Sequence, residues 1–336
     1  MDDGEVGREE ILEPDLPICD PHHHLWHFPD NRYLLEELLE DIGPADGVCG
    51  HKVESTVFVE CTAFYRARGP EPLRMVGETE FVAGVAAMAD SGRYGPVRAC
   101  EGIVGRADLC LGKDVDEVLK AHIATGGGRF RGIRHAAGWD ASPTIRNSHT
   151  DPPQHLYGDP KFREGFARLA PNGLSFEAWQ YHPQLPDLID LARSFPETAI
   201  MLDHVGGPLG IGPYAGRRDE VFLAWRANIL ELGACPNVCV KLGGLGMAIC
   251  GFDFHKSDRK PGSAELADAW RPYIETCIEA FGPRRAMFES NFPVDKVSCS
   301  YDALWNAFKR IASGASTEDK AWLFRGGARA FYRLAD

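Results

Sequence analysis

The stretch CDPHHHLW (residues 19–26) follows Leu16-Pro17-Ile18 and decides how the rest of the chain is read. Residues 16–22 predict a buried strand. Alternate side chains of a strand point the same way, so Asp20, His22 and His24 share one face and His23 takes the other. Two imidazoles two residues apart can converge on one metal ion or on one substrate oxygen. A histidine-rich turn without chemistry is the competing reading.

Outward from this strand, short apolar runs alternate with helix-length segments. Strands are predicted over residues 16–22, 55–61, 99–104, 130–135, 174–179, 199–204, 238–242 and 286–291. Helical apolar spacing marks residues 31–42, 78–89, 115–124, 160–169, 185–194, 219–232, 264–281, 301–311 and 317–332. Eight strand–helix pairs with no composition break predict one (β/α)8 TIM barrel over residues 16–336, preceded by a flexible leader over residues 1–15. Long loops follow strands four (138–157) and seven (243–262). A doubly wound open sheet is the alternative, but it wants a glycine fingerprint after its first strand, where this chain has histidines. Gly126-Gly127-Gly128 lies between a helix and a strand, the wrong order for a phosphate loop.

The 336 residues are 44% hydrophobic and carry a net charge of -13. No dense Lys/Arg run exists, so a nucleic-acid partner is not expected. No apolar run of membrane length occurs, and the acidic start has no apolar core of a signal peptide. The ten cysteines include no CxxC pair, which suits reduced thiols of a cytoplasmic protein. A small-molecule substrate is the expected partner, and homo-oligomerisation is left open.

In a barrel, functional residues gather at the C-terminal strand ends. Those ends carry His22 and His24, Glu60, Arg134 and His135, Glu177, His204, Lys241, then Glu289 and Asn291. Each has a structural alternative: an arginine paired with a neighbouring acid, a lysine that snorkels, a glutamate that caps. Ionisable residues at most of the ends together point to a site, since apolar side chains are the default inside.

The Asp-x-His-x-His-x-Trp opening (Asp20, His22, His24, Trp26) resembles the first strand of the amidohydrolase superfamily. GIRH (132–135), LDHVGGP (202–208), VKLGGL (240–245) and MFESNFPVD (287–295) are similar in the same order. Together they resemble the branch that includes 2-pyrone-4,6-dicarboxylate lactonase and sugar-acid lactonases. The resemblance covers residues 16–333 and implies hydrolysis of a lactone, ester or amide at the barrel mouth. A lyase on the same barrel, decarboxylase or hydratase, is the alternative, as is a degenerate binding barrel.

The chain departs from the family at strand eight. The usual Gly-Ser-Asp-Trp-Pro reads Glu289-Ser290-Asn291-Phe292-Pro293 here, and a neutral amide is a poor ligand and no base. Strand five ends without a ligand histidine; His182 lies just past it. A metal-independent or weakly metallated site with no cofactor is therefore expected. A single divalent metal such as zinc, held by His22 and His24, is the alternative. His22, His24 and His204 would polarise the carbonyl, and Glu289 and Asn291 complete the candidate catalytic set. Arg131, Arg134, His135, Trp139, Tyr157 and Lys241 are the candidate substrate contacts. Arg134 with Arg131 would clamp a carboxylate. Trp139, Tyr157, Phe252 and Phe254 suggest an aromatic-sized substrate. On one strand, residues 289 and 291 share a face, with Glu289 roughly 6–7 Å deeper. Burial would raise its pKa and suit it as a general base, unless it only pairs with Lys241. Asn291 would donate a hydrogen bond to substrate.

Overall fold

The structure is a computed structural model that describes residues 9–44 and 50–335. Eight parallel strands follow one another around a nearly closed barrel. They are β1 (Ile18–His23), β2 (Val53–Val59), β3 (Arg98–Arg106), β4 (Phe130–Arg134), β5 (Ser175–Ala178), β6 (Ile200–Leu202), β7 (Val238–Leu242) and β8 (Ala286–Phe288). The first and last strands meet through a bridge between His23 and Phe292. Asn291 N–H donates to the His22 carbonyl at 2.9 Å, and His24 N–H to that of Phe292 at 2.8 Å. The expected (β/α)8 barrel is the observed fold.

Strand alternation builds two cores. Val57 and Val59 of β2 point inward to meet Val104, Met201 and Met287. Phe58 between them points outward, to the layer shared with the helices. Those helices are α1 (Leu35–Ile42), α2 (Val76–Asp90), α3 (Val115–Thr125), α4 (Pro160–Phe166), α5 (Leu185–Ser194), α6 (Arg218–Gly233), α7 (Ser263–Phe281) and α8 (Tyr301–Ile311). The inner core is closed from below by Ala328, Tyr332 and Leu334. These follow α9 (Thr317–Ala321) and a π-helical turn at Trp322–Gly326; Ala328 and Tyr332 lie in α10 (Gly327–Tyr332). The expected continuous helix over 317–332 is thus interrupted where the chain turns in beneath the barrel.

Two other expectations are corrected. The helix expected from residue 31 begins at Leu35, because the Glu37 carboxylate accepts from Leu34 N–H at 2.9 Å. Residues 26–28 and 31–33 form a small hairpin instead. Strands six and eight stop at Leu202 and Phe288, short of His204 and Asn291. Of the expected leader, residues 1–8 lie outside the described residues. Beyond them, Lys309 Nζ donates to the carbonyls of Leu12 and Glu13, at 2.6 and 3.0 Å.

The segment after β2 is held by a buried acid. Glu78, in the first turn of α2, accepts from the backbone N–H groups of Cys61 and Ala63 at 3.1 and 2.8 Å. It therefore fixes a loop in which Thr62 and Phe64 adopt φ of 65° and 56°, a left-handed conformation costly for non-glycine residues. Burial, then the nearby Glu60 charge, push the Glu78 carboxyl up to about 8. The folded protein thus keeps a proton that the unfolded chain releases near its ordinary value. Stability from this group is complete below that value and is lost as pH rises through about 8. Glu78→Gln keeps an accepting oxygen and should flatten the decline in stability between roughly pH 4.5 and 8, measured by urea unfolding across that range. An unchanged slope would show that Glu78 is ionised throughout.

Candidate active site

The strand ends place a charged cluster beneath the barrel mouth. β1 supplies His22, β4 Arg134, β5 Glu177 and β7 Lys241. Asp203 and His204 come from the turn after β6, and Glu289 from the residue after β8. All seven are buried. Buried charges persist when paired, and here two chains of contacts do the pairing.

The first chain centres on Lys241. Its Nζ lies 2.6 Å from Glu177 Oε2 and 3.1 Å from Asp203 Oδ1. Tyr332 O–H donates to Glu177 Oε1 at 2.5 Å. Two acids compete for one ammonium, so they part. Burial pushes Asp203 up, but Lys241 and then His22 hold it well below the usual carboxylate range. Burial carries Glu177 well above that range, and the Asp203 charge adds to the rise. The second chain centres on Arg134. Its Nε donates to Glu60 Oε1 at 2.7 Å, and Nη1 lies 3.4 Å from Asp203 Oδ2 and from His22 Nε2. Burial raises Glu60, but the Arg134 charge reverses this and keeps its carboxyl low.

Glu289 is the remaining acid. Its Oε1 lies 2.7 Å from His204 Nδ1, and its Oε2 2.9 Å from His22 Nδ1. It also accepts from His204 N–H at 3.2 Å. The sequence reading put burial in control of Glu289. Burial does push it up, but the charges of His204 and His22 outweigh this and draw it down to about 2. Glu289 is an ionised bridge between two imidazoles. Arg134 and Lys241 are taken by other acids, so it faces imidazoles at contact distance.

Backbone strain sets this geometry. His204, Val205 and Asn291 have φ of 54°, 47° and 54°, outside the regions their side chains prefer. Gly244, from the VKLGGL run, has φ +68°. A Cβ there would lie 2.5 Å from His204, so glycine lets the turn after β7 pass close to that residue. The expectation that residues 289 and 291 share a strand face fails, because the strand has ended. Asn291 Nδ2 donates to Asp295 Oδ1 at 2.8 Å, and Gly246 N–H to Asp295 Oδ2 at 2.9 Å. One of the amide protons expected for substrate is thereby spent on Asp295, which burial pushes up to about 7.

Other expected residues lie elsewhere. His24 packs edge-on to His22 with centroids 4.9 Å apart, and its Nδ1–H donates to the Val59 carbonyl at 2.8 Å. Burial, then the His22 charge, keep it neutral. His135 points away from Arg134, accepts from Leu109 N–H at 3.2 Å and packs on Phe162. Arg131 donates to the Gly128 carbonyl at the far end of β4, so it forms no clamp with Arg134. Trp139 N–H donates to Gln184 Oε1 at 3.0 Å, tying its loop down. Tyr157 is core, packed on Phe162 and Phe176. Phe252 and Phe254 stack together and pack on Tyr273 and Trp270 of α7. The inferred aromatic-sized substrate loses that support. Asp203 and Asp295 were missed as site residues; both lie within the quoted LDHVGGP and MFESNFPVD runs.

His22, Asp203 and His204 have ligand atoms within 4.8 Å of one another, in place of the expected pair His22 and His24. Two imidazoles and a carboxylate suit zinc, so the donors fit an ion, although Lys241 and Arg134 approach the same Asp203 oxygens.

A family model described as Amidohydrolase matches residues 19–334. The uncharacterized protein y4mH of Sinorhizobium fredii is 34% identical over 333 residues, covering 95% of this chain and 99% of that protein. An L-fucono-1,5-lactonase of Burkholderia ambifaria is 25% identical over 327 residues, covering 94% and 95%. The crystal structure of a zinc-bound amidohydrolase from Burkholderia multivorans matches with a TM-score of 0.67 at 24% identity, covering 95% of this chain and 99% of that one. The chain belongs to the amidohydrolase family.

Removing Lys241 would leave Asp203 buried without its ammonium. Lys241→Met should cost about 3–5 kcal/mol, the range for breaking a buried pair, read by urea unfolding at neutral pH. Parental stability would show that Asp203 and Glu177 are neutral in the fold.

Proposed function

We propose that this amidohydrolase opens the lactone ring of a polyhydroxylated carboxylic acid by adding water at the barrel mouth. The observation that carries the reading is the 2.7 Å contact between His204 Nδ1 and Glu289, beside two buried cations. The lactonase relative supports the substrate class. A carboxylate at Nδ1 holds the imidazole in the tautomer whose Nε2 can take a proton, and it stabilises the imidazolium that forms.

In this reading His204 takes a proton from water as the water adds to the ring carbonyl. Glu289 is the positioning group, and its charge balances the imidazolium. Trp179, with its ring centroid 4.8 Å from that of His204, backs the imidazole edge-on. The fixed charges of Arg134 and Lys241 favour negative charge developing on the carbonyl oxygen without reorganisation. The ring C–O bond then breaks, and His204 returns its proton to the leaving oxygen, giving a hydroxy acid. A divalent ion, if bound, would be held by His22, Asp203 and His204 and would supply Lewis acidity at the carbonyl.

Acid release from a panel of 1,4- and 1,5-lactones of sugar acids, followed with a pH indicator, tests the reading. Carbon dioxide release without ring opening would overturn it in favour of a lyase. His204→Asn and Glu289→Gln should each lower turnover by ~10²–10⁴ in folded protein, and Glu289→Gln should also move the acid limb of the pH profile. Normal turnover in either variant would remove the pair from the chemistry. Turnover should survive a strong chelator, because Lys241 and Arg134 already meet both Asp203 oxygens. Loss on chelation with recovery on zinc would transfer the role to the metal triad.

A further inference from the structure

A polar cavity of about 470 Å³ opens between the segments that follow β2 and β3, lined by Tyr65, Glu71, Arg74, Met75, Arg106 and Asp108 among others. It lies at the C-terminal end of the strands, on the same side as the histidine cluster. Arg106 ends β3, two residues after the inward-facing Val104, and is the register partner of Arg134. The two guanidiniums thus sit at adjacent strand ends, but their circumstances differ. Arg134 is saturated by Glu60 and Asp203. Arg106 Nε and the Tyr65 hydroxyl are buried with no hydrogen-bond partner beyond one another's side chains.

Buried polar groups with so few partners are costly and uncommon. Here two occur together at one cavity, and the fold invests in placing them. Tyr65 is carried by the loop that strains Thr62 and Phe64 into left-handed backbone and that Glu78 holds by Cys61 and Ala63 N–H. The lining chemistry selects the ligand. Two guanidiniums and a phenol are interleaved with the carboxylates of Glu71 and Asp108, and Met75 supplies an apolar wall. An anion would meet those carboxylates. A chain of hydroxyl groups, each both donor and acceptor, matches the mixture, and its C–H faces match the thioether.

We propose that this cavity is the subsite for the hydroxylated carbon chain of the substrate, with Arg106 and Tyr65 as its hydrogen-bonding contacts. The proposal rests on the lactone-hydrolase reading for the identity of the substrate, and on the cavity for the place where its chain lies. Arg106 is paired in register with Arg134 on the next strand, which is the ground for placing the substrate's chain beside its ring.

The test uses Arg106→Leu and the milder Tyr65→Phe, each checked for an unchanged melting temperature. Kinetics are compared on the 1,5-lactone of a six-carbon sugar acid and on δ-valerolactone, which has the ring alone. KM for the hydroxylated lactone should rise roughly tenfold or more, as expected for one lost hydrogen bond, with kcat and the bare lactone little changed. An equal rise for both lactones, or none for either in both variants, overturns the subsite. Calorimetric titration with a six-carbon alditol separates the two readings. Binding to the parent that Arg106→Leu or Tyr65→Phe weakens supports the cavity even where neither lactone is opened, in which case the hydrolase reading alone fails. Absence of alditol binding to the parent, or binding indifferent to both variants, overturns the subsite.

Discussion

One carboxylate, Glu289, holds two imidazoles from the C-terminal ends of the first and sixth strands at 2.9 and 2.7 Å. Desolvation forbids a lone charge at this depth, so the rest of the mouth is arranged around the need to balance it. Arg134 is committed to Glu60, and Lys241 is divided between Asp203 and Glu177. What remains for Glu289 is an imidazole able to gain a proton, or an ion held by the same donors. Proton uptake and metal uptake are therefore two answers to the same electrostatic demand, and both are routes to water addition.

That demand is met with distorted backbone. His204, Val205 and Asn291 all lie in the left-handed region, and β-branched Val205 is disfavoured there most. Each follows a strand that stops early. Ending β6 at Leu202 frees Asp203 and His204 from strict alternation, so neighbouring residues both face the cluster. The same freedom lets Asn291 turn to Asp295. Strain concentrated at strand ends, above a regular apolar barrel, is the pattern expected where geometry has been fitted to chemistry.

These distortions explain what the sequence could and could not reveal. Short apolar runs between helix-length segments sufficed for the eight strands and the outline of the barrel, because both faces of a strand such as Val57, Phe58 and Val59 meet an apolar layer. Parity also separates Arg134, facing in, from His135, facing out beside Leu109 and Phe162, and it would have set Arg131 aside. It fails at His204, which alternation assigns to the outer face of Ile200 and Leu202 rather than the inner face of Met201, and at Glu289, whose charge state depends on neighbours two strands away. Loop aromatics carry no such rule. Tyr157, Phe252 and Phe254 became packing residues for reasons of tertiary contact alone. Arg106 escaped notice because β3 runs two residues beyond its apolar stretch.

The floor of the barrel is the far end of the chain. Tyr332, from α10, reaches Glu177 from below, while Ala328 and Leu334 fill the space beside it. They keep water from the acids around Lys241 on the side away from the mouth, and charges couple strongly where water is excluded. A change made at Tyr332, beneath the barrel, therefore bears on the charged cluster rather than on a remote surface.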